Sequence, residues 1–492
     1  MITRLQLSGF KNYMNTDIRF GPFTCIAGEN GVGKSNIFDA LQFLSNLCDY
    51  QISEAISYLR GKDGSRVQYS SVNDIFQRLE NQVNSKLSIS AEMLIQRDGE
   101  DDLGQPAQAT YNFLKYTIEL KLIKTDDGQD KVILTKEELK PIKKGDAWKN
   151  LLFDHHYKWR NSVIQGKRNV PYISTIEENN EKFINLHQDG GSSGKPRPFN
   201  ATSLPRTVLS TARYASETPT ALLAKREMQS WKFLQLEPSA LRQPSDLEKF
   251  SMNIKVGSDG SNLPASVYKL SKSPIIIENY GDILGLNTEL AYKLSQLVGN
   301  VKEVRVDKDE KRQILTLEVL TKDGITFPAR SLSDGTLRFL ALSIIDMDPN
   351  ETGLVCLEEP ENGIHPERIP AMIDLLNRIP VDPTRKEYDG RPLRQIIINT
   401  HSPGVVSEVQ DQALIYVQTV NLVKHRKGMK VATVQALNDT WRTTKGELKS
   451  ISKGKLISYL SPIRKPGNNN KSGKIKQRKD LKNIIHQSLF DL

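Results

Sequence analysis

The stretch Gly28-Glu29-Asn30-Gly31-Val32-Gly33-Lys34-Ser35 constrains this chain more than any other. It matches G-x-x-x-x-G-K-[ST] in full. It follows an apolar run, "PFTCIA", and opens "KSNIFDALQFLSNL", whose apolar residues recur at helical spacing. A strand, a glycine turn and a helix start are the context the pattern requires. Gly28, Gly31 and Gly33 let backbone N–H groups curl round phosphate oxygens, and the helix N-terminus adds its positive end. Lys34 supplies a point charge to the β- and γ-phosphates and Ser35 a hydroxyl to Mg²⁺, with Asn30 and Asn36 in the same stretch. The implied ligands are ATP and Mg²⁺, and the implied fold is α/β.

Two further apolar strands end in residues suited to that ligand. "LVCLEEPE" delivers Glu358 and Glu359 to the phosphate edge of a parallel sheet. ATP hydrolysis needs one acid near the metal and one to orient and deprotonate water. Glu358 is expected on the metal side, through water, and Glu359 as the base. Alone, two acids after a strand are an ordinary solvated strand end; beside the phosphate loop they form a set. "QIIINTHSP" ends at Thr400-His401, where a histidine reaches a γ-phosphate or the attacking water.

"SLSDGTLRFL" is a second glycine turn at a helix start, with no lysine for phosphate beside it. Ser331 or Ser333 caps the helix, and Gly335 permits a close approach. Its exposed N–H groups make a second anion site. One chain needs one nucleotide pocket, so this turn is expected to complete the pocket of a second subunit.

The rest of the chain is organised around these motifs. Residues 1–140 read as the first half of the head, with the phosphate loop and antiparallel strands "KLSISAEMLI", "YTIELKLI" and "KVILTKEEL", and with "RDGEDDLGQPAQ" as an acidic loop. Residues 141–300 read as an inserted α/β-mixed globular region, mostly helical, with a mobile loop near 187–204. Residues 301–420 carry the second half, and 421–492 a basic C-terminal extension. Recurring prolines between Pro171 and Pro238 exclude a long coiled-coil arm.

Charge is uneven. From residue 421 onward there are 17 Lys and Arg against 4 Asp and Glu, which leaves 51 against 54 in the rest of the chain. That asymmetry suggests a polyanion or an acidic partner near the C-terminus. Within the tail, "RKPGNNNKSGKIKQRK" reads as a linker and "DLKNIIHQSLFDL" as a helix. Cys25, Cys48 and Cys356 are far apart and are expected to be buried thiols of a cytoplasmic chain. No run of about eighteen apolar residues suggests a membrane helix, and the start lacks the pattern of a signal peptide.

"LSDGT" resembles the LSGGQ signature of ABC-type ATPases, "LEEPENGIHP" their Walker B and following D-loop, and His401 their switch histidine. Together with "FKNY" and "GENGVGKSN", these motifs resemble the RecF/SMC-like heads, and within them the OLD-type ATPase subunits of bacterial anti-phage systems such as Septu, Gabija and PARIS. The resemblance covers roughly 1–140 and 300–420. It implies a P-loop ABC-type ATPase head with a mixed β lobe, and a homodimer or higher oligomer in which Ser333 and Gly335 of one subunit meet the ATP of the other. It also implies a companion effector, a nuclease or toxin, and possible contact with nucleic acid. It implies that Lys11 and Asn12 touch the nucleotide, and leaves Gln77 as a candidate Q-loop glutamine. Glu358 stands where aspartate is commoner and Asp334 where glycine is usual. Two other functions remain as alternatives. An OLD-like nuclease needs an Asp-x-Asp pair, which the 91 residues after His401 lack. A transporter-type ATPase is disfavoured by the signature and D-loop.

Overall fold

Strand pairing explains why the phosphate loop and the two acid- and histidine-tipped runs, far apart in sequence, become neighbours. In the computed structural model, residues 1–59, 71–79, 82–189, 194–424, 427–446 and 448–460 are described. A seven-stranded sheet forms the core, built from β1 (Phe23–Ala27), β2 (Lys232–Leu234), β3 (Leu354–Glu358), β4 (Gln395–Thr400), β5 (Leu414–Lys424), β6 (Lys427–Leu437) and β7 (Lys449–Ile451). Its order is β2-β3-β4-β1-β5-β6-β7, parallel throughout except between β5 and β6.

The central strands are continuously apolar because both faces are buried. Ile26, Leu354, Cys356 and Ile397 point into one core, which includes Ile37, Leu41 and Leu44 of α1 (Lys34–Asn46). Their alternating neighbours Cys25, Ala27, Val355, Leu357, Ile396 and Ile398 point into a second core. That core also holds Leu337, Leu340 and Ile344 of α2 (Asp334–Met347) and Met372 and Leu376 of α3 (Ile369–Arg378). Each strand's period of two thus serves two cores at once. All three cysteines are buried free thiols, and burial raises the pKa of each.

An eight-stranded antiparallel sheet forms the lobe beside it. Its order is Arg197–Asn200, Glu181–Leu186, Ile173–Glu178, Asp130–Pro141, Phe113–Lys124, Lys86–Leu94, Ile2–Phe10 and Tyr13–Arg19. A smaller antiparallel sheet pairs Val301–Asp309 with Ile314–Thr321 and leads through Thr326–Pro328 into α2. Among the described residues no helix is long and apolar enough to cross a membrane.

Several boundaries differ from the sequence reading. Residues 141–300 are not a separate insert: three of their strands extend the large sheet, and β2 joins the core sheet beside β3. One of those strands, Arg197–Asn200, lies inside the stretch expected to be a mobile loop near 187–204, where residues 190–193 are outside the described set. The acidic loop "RDGEDDLGQPAQ" contains a hairpin of Asp98–Glu100 with Pro106–Gln108. The Asp101 carboxylate builds its turn by accepting the N–H groups of Leu103 and Gln105, each at 2.9 Å. The basic extension expected from 421 begins inside β5, and β6 and β7 complete the core sheet. Arg442 fastens this part. Its guanidinium is fully buried over the Trp441 ring and donates to Arg19 O and Thr24 Oγ1. The linker and helix expected in 464–492 lie outside the described residues.

Candidate functional site

Register sets the site. Leu234 pairs with Leu357, Glu358 with Asn399, and Thr400 with Ala27. The carboxyl ends of β1, β2, β3 and β4 therefore share one edge, the usual place for ligands in an open α/β sheet. A cavity of about 410 Å³ lies there. Asn30, Gly31, Gly33, Lys34, Ser35 and Asn36 line it from the phosphate loop, and Glu358, Glu359 and Asn399 from β3 and β4. Gln235 and Arg338 line it too.

The loop is held in shape from behind. Gly33 has φ +112° and packs so tightly on Asn12 that a Cβ would lie 2.4 Å from Nδ2. Only glycine fits there. Asn12 Nδ2 donates to Val32 O at 3.0 Å, Asn36 Nδ2 donates to Asn12 Oδ1 at 2.8 Å, and Tyr13 OH donates to Gly33 O at 3.0 Å. Lys11 does not face the cavity either: its ammonium is 2.7 Å from Asp39 Oδ2 on α1. Lys11 and Asn12 thus buttress the loop and do not line the cavity. Lys34 donates to Gly28 O and Glu29 O at 2.7 and 2.8 Å. Burial lowers its pKa below the ordinary lysine value, against the opposing pull of Glu359, Glu358, Glu361 and Glu29.

At the far wall, Glu359 takes φ +46°, a left-handed conformation that costs a non-glycine residue about 1–2 kcal/mol. Its N–H is held by Asn399 O at 3.0 Å and by Asn399 Oδ1 at 3.2 Å. Both of its carboxylate oxygens are engaged: Oε1 lies 2.6 Å from His401 Nδ1, and Oε2 accepts from Asn362 Nδ2 at 3.0 Å. Asn399 Nδ2 also donates to Glu358 Oε1 at 3.2 Å. Glu361 is buried behind them, accepts from Thr400 Oγ1, and has its pKa raised by burial. Among the described residues no group of three or more His, Cys, Asp or Glu could cage a metal. Ser35 and Glu358 both line the cavity and carry oxygens of the kind Mg²⁺ takes, a cation that needs few protein ligands and completes its shell with phosphate and water.

The second glycine turn lies outside this cavity. Ser333, not Ser331, caps α2, with Oγ accepting Thr336 N–H at 3.2 Å. Gly335 is pinned against the segment after Glu359: a Cβ there would meet Gly363 O at 2.3 Å. Asp334, in place of the usual glycine, forms an ion pair with Arg242, which also donates to Leu332 O at 3.0 Å. Arg242 follows the loop that leaves β2 at Gln235, so the turn and that loop are tied together.

The structure places the loop, Glu358 and Glu359 around one cavity, with His401 against Glu359. Gln235, Arg338, Asn362 and Asn399 line the same cavity and were not expected from the sequence. Asn399 sits inside a quoted motif and could have been found there. Gln235 had no local signal, because it reaches Glu358 only through the pairing of β2 with β3. Gln77, the earlier Q-loop candidate, is buried elsewhere: its N–H donates to Gly9 O, and it does not line the cavity.

A phosphate loop and an acid-tipped strand, separated by β4, share one edge of the core sheet, the arrangement of a P-loop ATPase fold. The chain belongs to the family described as "AAA domain, putative AbiEii toxin, Type IV TA system", whose model matches residues 102–407. A second model, "AAA domain", matches residues 4–190. A stretch of 60 residues is 33% identical to the DNA replication and repair protein RecF of Paenarthrobacter aurescens (strain TC1), covering 12% of this chain and 15% of that protein. A 75-residue stretch is 31% identical to RecF of Corynebacterium jeikeium (strain K411), covering 15% and 18%. The chain thus spans less than a fifth of these relatives' length in each match. Among solved structures, the SmcHead bound to the C-winged helix domain of ScpA matches with a TM-score of 0.45 and 14% identity, over 89% of this chain and 98% of that one. The SMC head domain from Thermotoga maritima matches with a TM-score of 0.37 and 12% identity, over 89% and 99%.

Proposed function

We propose that this chain binds and hydrolyses ATP with Mg²⁺, and that two copies close on ATP to control a companion protein. The observation that carries the reading is Glu359, held at left-handed φ against His401, on the cavity wall that faces Lys34. The residues present fit the ligand. The loop from Gly28 to Ser35 offers backbone N–H groups and a lysine to phosphates, and the cavity walls are polar. Ser35 and Glu358 would hold Mg²⁺, which when bound neutralises phosphate charge. Lys34 would leave its carbonyl partners for the phosphates. Glu359 takes the proton of the attacking water, with its carboxylate aimed by Asn362 and His401 and its backbone held by Asn399. Gln235 takes the Q-loop role. Lys11 and Asn12 serve by shaping the loop.

Ser333 and Gly335 are directed to the nucleotide of a second copy, which accounts for a capped anion-binding turn outside the chain's own cavity. The effector, a nuclease or toxin, is suggested by the toxin–antitoxin wording of the family description. Contact with DNA is suggested by the RecF matches and the basic end of the chain.

Three variants test this. Lys34→Ala should lose ATP binding. Glu359→Gln should keep binding while hydrolysis slows on the order of 10²–10⁴-fold. Ser333→Arg should bind ATP yet fail to dimerise in light scattering, while Glu359→Gln dimerises with ATP. Near-normal turnover by Glu359→Gln would end the assignment of the base.

A further inference from the structure

Arg338 lies five residues past Ser333 on α2, and its side chain lines the cavity with Lys34, Glu358 and Glu359. Its Nε is buried without a hydrogen-bond partner. Among the described residues it forms no ion pair, although three carboxylates, those of Glu237, Glu358 and Glu359, line the same cavity. Leaving a buried charged donor unpaired is costly, so such a group in a polar cavity points to a ligand. The other cation of the cavity, Lys34, has its ammonium on two carbonyls.

We propose that Arg338 binds the terminal phosphate of the nucleotide held in its own subunit's cavity. The proposal rests on the nucleotide reading of that cavity. Its consequence is that α2 reads two sites at once. The N-terminus of α2 offers Ser333 to a neighbouring subunit, while Arg338, about 7 Å further along a continuous helix, touches the chain's own nucleotide. The Asp334–Arg242 pair and the Gly335–Gly363 contact hold the start of the helix against neighbouring loops. A guanidinium suits the task, because its planar fork meets two phosphate oxygens together.

The experiment compares affinities for the non-hydrolysable analogue AMP-PNP and for ADP, both with Mg²⁺, by calorimetry on the full chain. Arg338→Ala should weaken AMP-PNP on the order of 10- to 100-fold, the value of a lost charge-assisted bond, and ADP by less than about threefold. Arg338→Lys should fall between. No change, or an equal change for both nucleotides, overturns the proposal. If Arg338→Ala does not fold, Arg338→Gln carries the same comparison, and failure of both to fold makes Arg338 structural and also overturns it. Lys34→Ala separates the two readings. If it binds both nucleotides normally, the nucleotide cavity itself is wrong. If it loses both while Arg338→Ala binds normally, only the role of Arg338 falls.

Discussion

Replacing Asn12 with alanine removes two side-chain hydrogen bonds behind the phosphate loop, to Val32 O at 3.0 Å and from Asn36 Nδ2 at 2.8 Å. It also removes the amide against which Gly33 packs. Each such bond contributes a net 0.5–1.5 kcal/mol, so the pair holds the loop with about 1–3 kcal/mol. Asn12 does not line the cavity, so its loss acts through loop shape alone. If the free loop relaxes by that amount, nucleotide dissociation constants rise roughly 5- to 150-fold. The β-phosphate common to both nucleotides is cradled by the loop, so ADP and AMP-PNP should weaken alike. Calorimetry with each nucleotide and Mg²⁺ measures this, with a thermal melt to show that the protein remains folded. Unchanged affinity would mean that the loop holds its shape without Asn12. A loss confined to AMP-PNP would mean that Asn12 meets the terminal phosphate directly, which the observed placement denies.

Arg242→Ala should uncouple the loop after β2 from the second glycine turn: ATP binding persists, while ATP-dependent dimerisation in light scattering weakens; dimerisation at wild-type strength would refute that tie. Arg442→Met removes the guanidinium's hydrogen bonds to the carbonyls of Arg19 and Gln412 and to the hydroxyl of Thr24. It should cost about 2–5 kcal/mol in chemical denaturation, the range for stripping one side of a buried polar network, and a loss below about 0.5 kcal/mol, the size of a neutral surface change, would contradict its anchoring role. Burial raises the pKa of Glu137 from 4.5 to about 7, against the N–H groups of Leu209 and Val208 and the Tyr116 hydroxyl. The folded state therefore binds the proton more tightly than the unfolded one, so this contribution to stability is full below pH 4.5 and lost as pH rises through about 7. The stability of wild type minus that of Glu137→Gln should decline by at most about 3 kcal/mol across that window; a flat difference would show that Glu137 stays ionised.

What could be read in advance follows from where the information is local. Glycine spacing before Lys34 and Ser35, an apolar strand ahead of it and an amphipathic helix after it lie within one short stretch, so loop, strand and helix were all legible. So were the strands ending at Glu358 and Thr400, because a strand buried on both faces must be apolar along its whole length. A serine cap followed from the place of Ser331 and Ser333 before an apolar helix, and the structure assigns it to Ser333. Tertiary pairing decided the rest. Residues 141–300 offered helices and short strands without a partner in view, and only the large sheet and β3 supplied partners. Gln235 joined Glu358 through such a pairing, across more than a hundred residues. Lys11 and Asn12 were expected at the nucleotide and instead stand behind the loop, because Asp39 and the bare face of Gly33 claim their side chains. The sequence by itself determined that a phosphate loop, an acid pair and a histidine would be present, since each needs only its neighbours to form. Which residues stand between them, and which way the unpaired Arg338 points, was set by strand register and helix packing, because those contacts join segments with no local signal for one another.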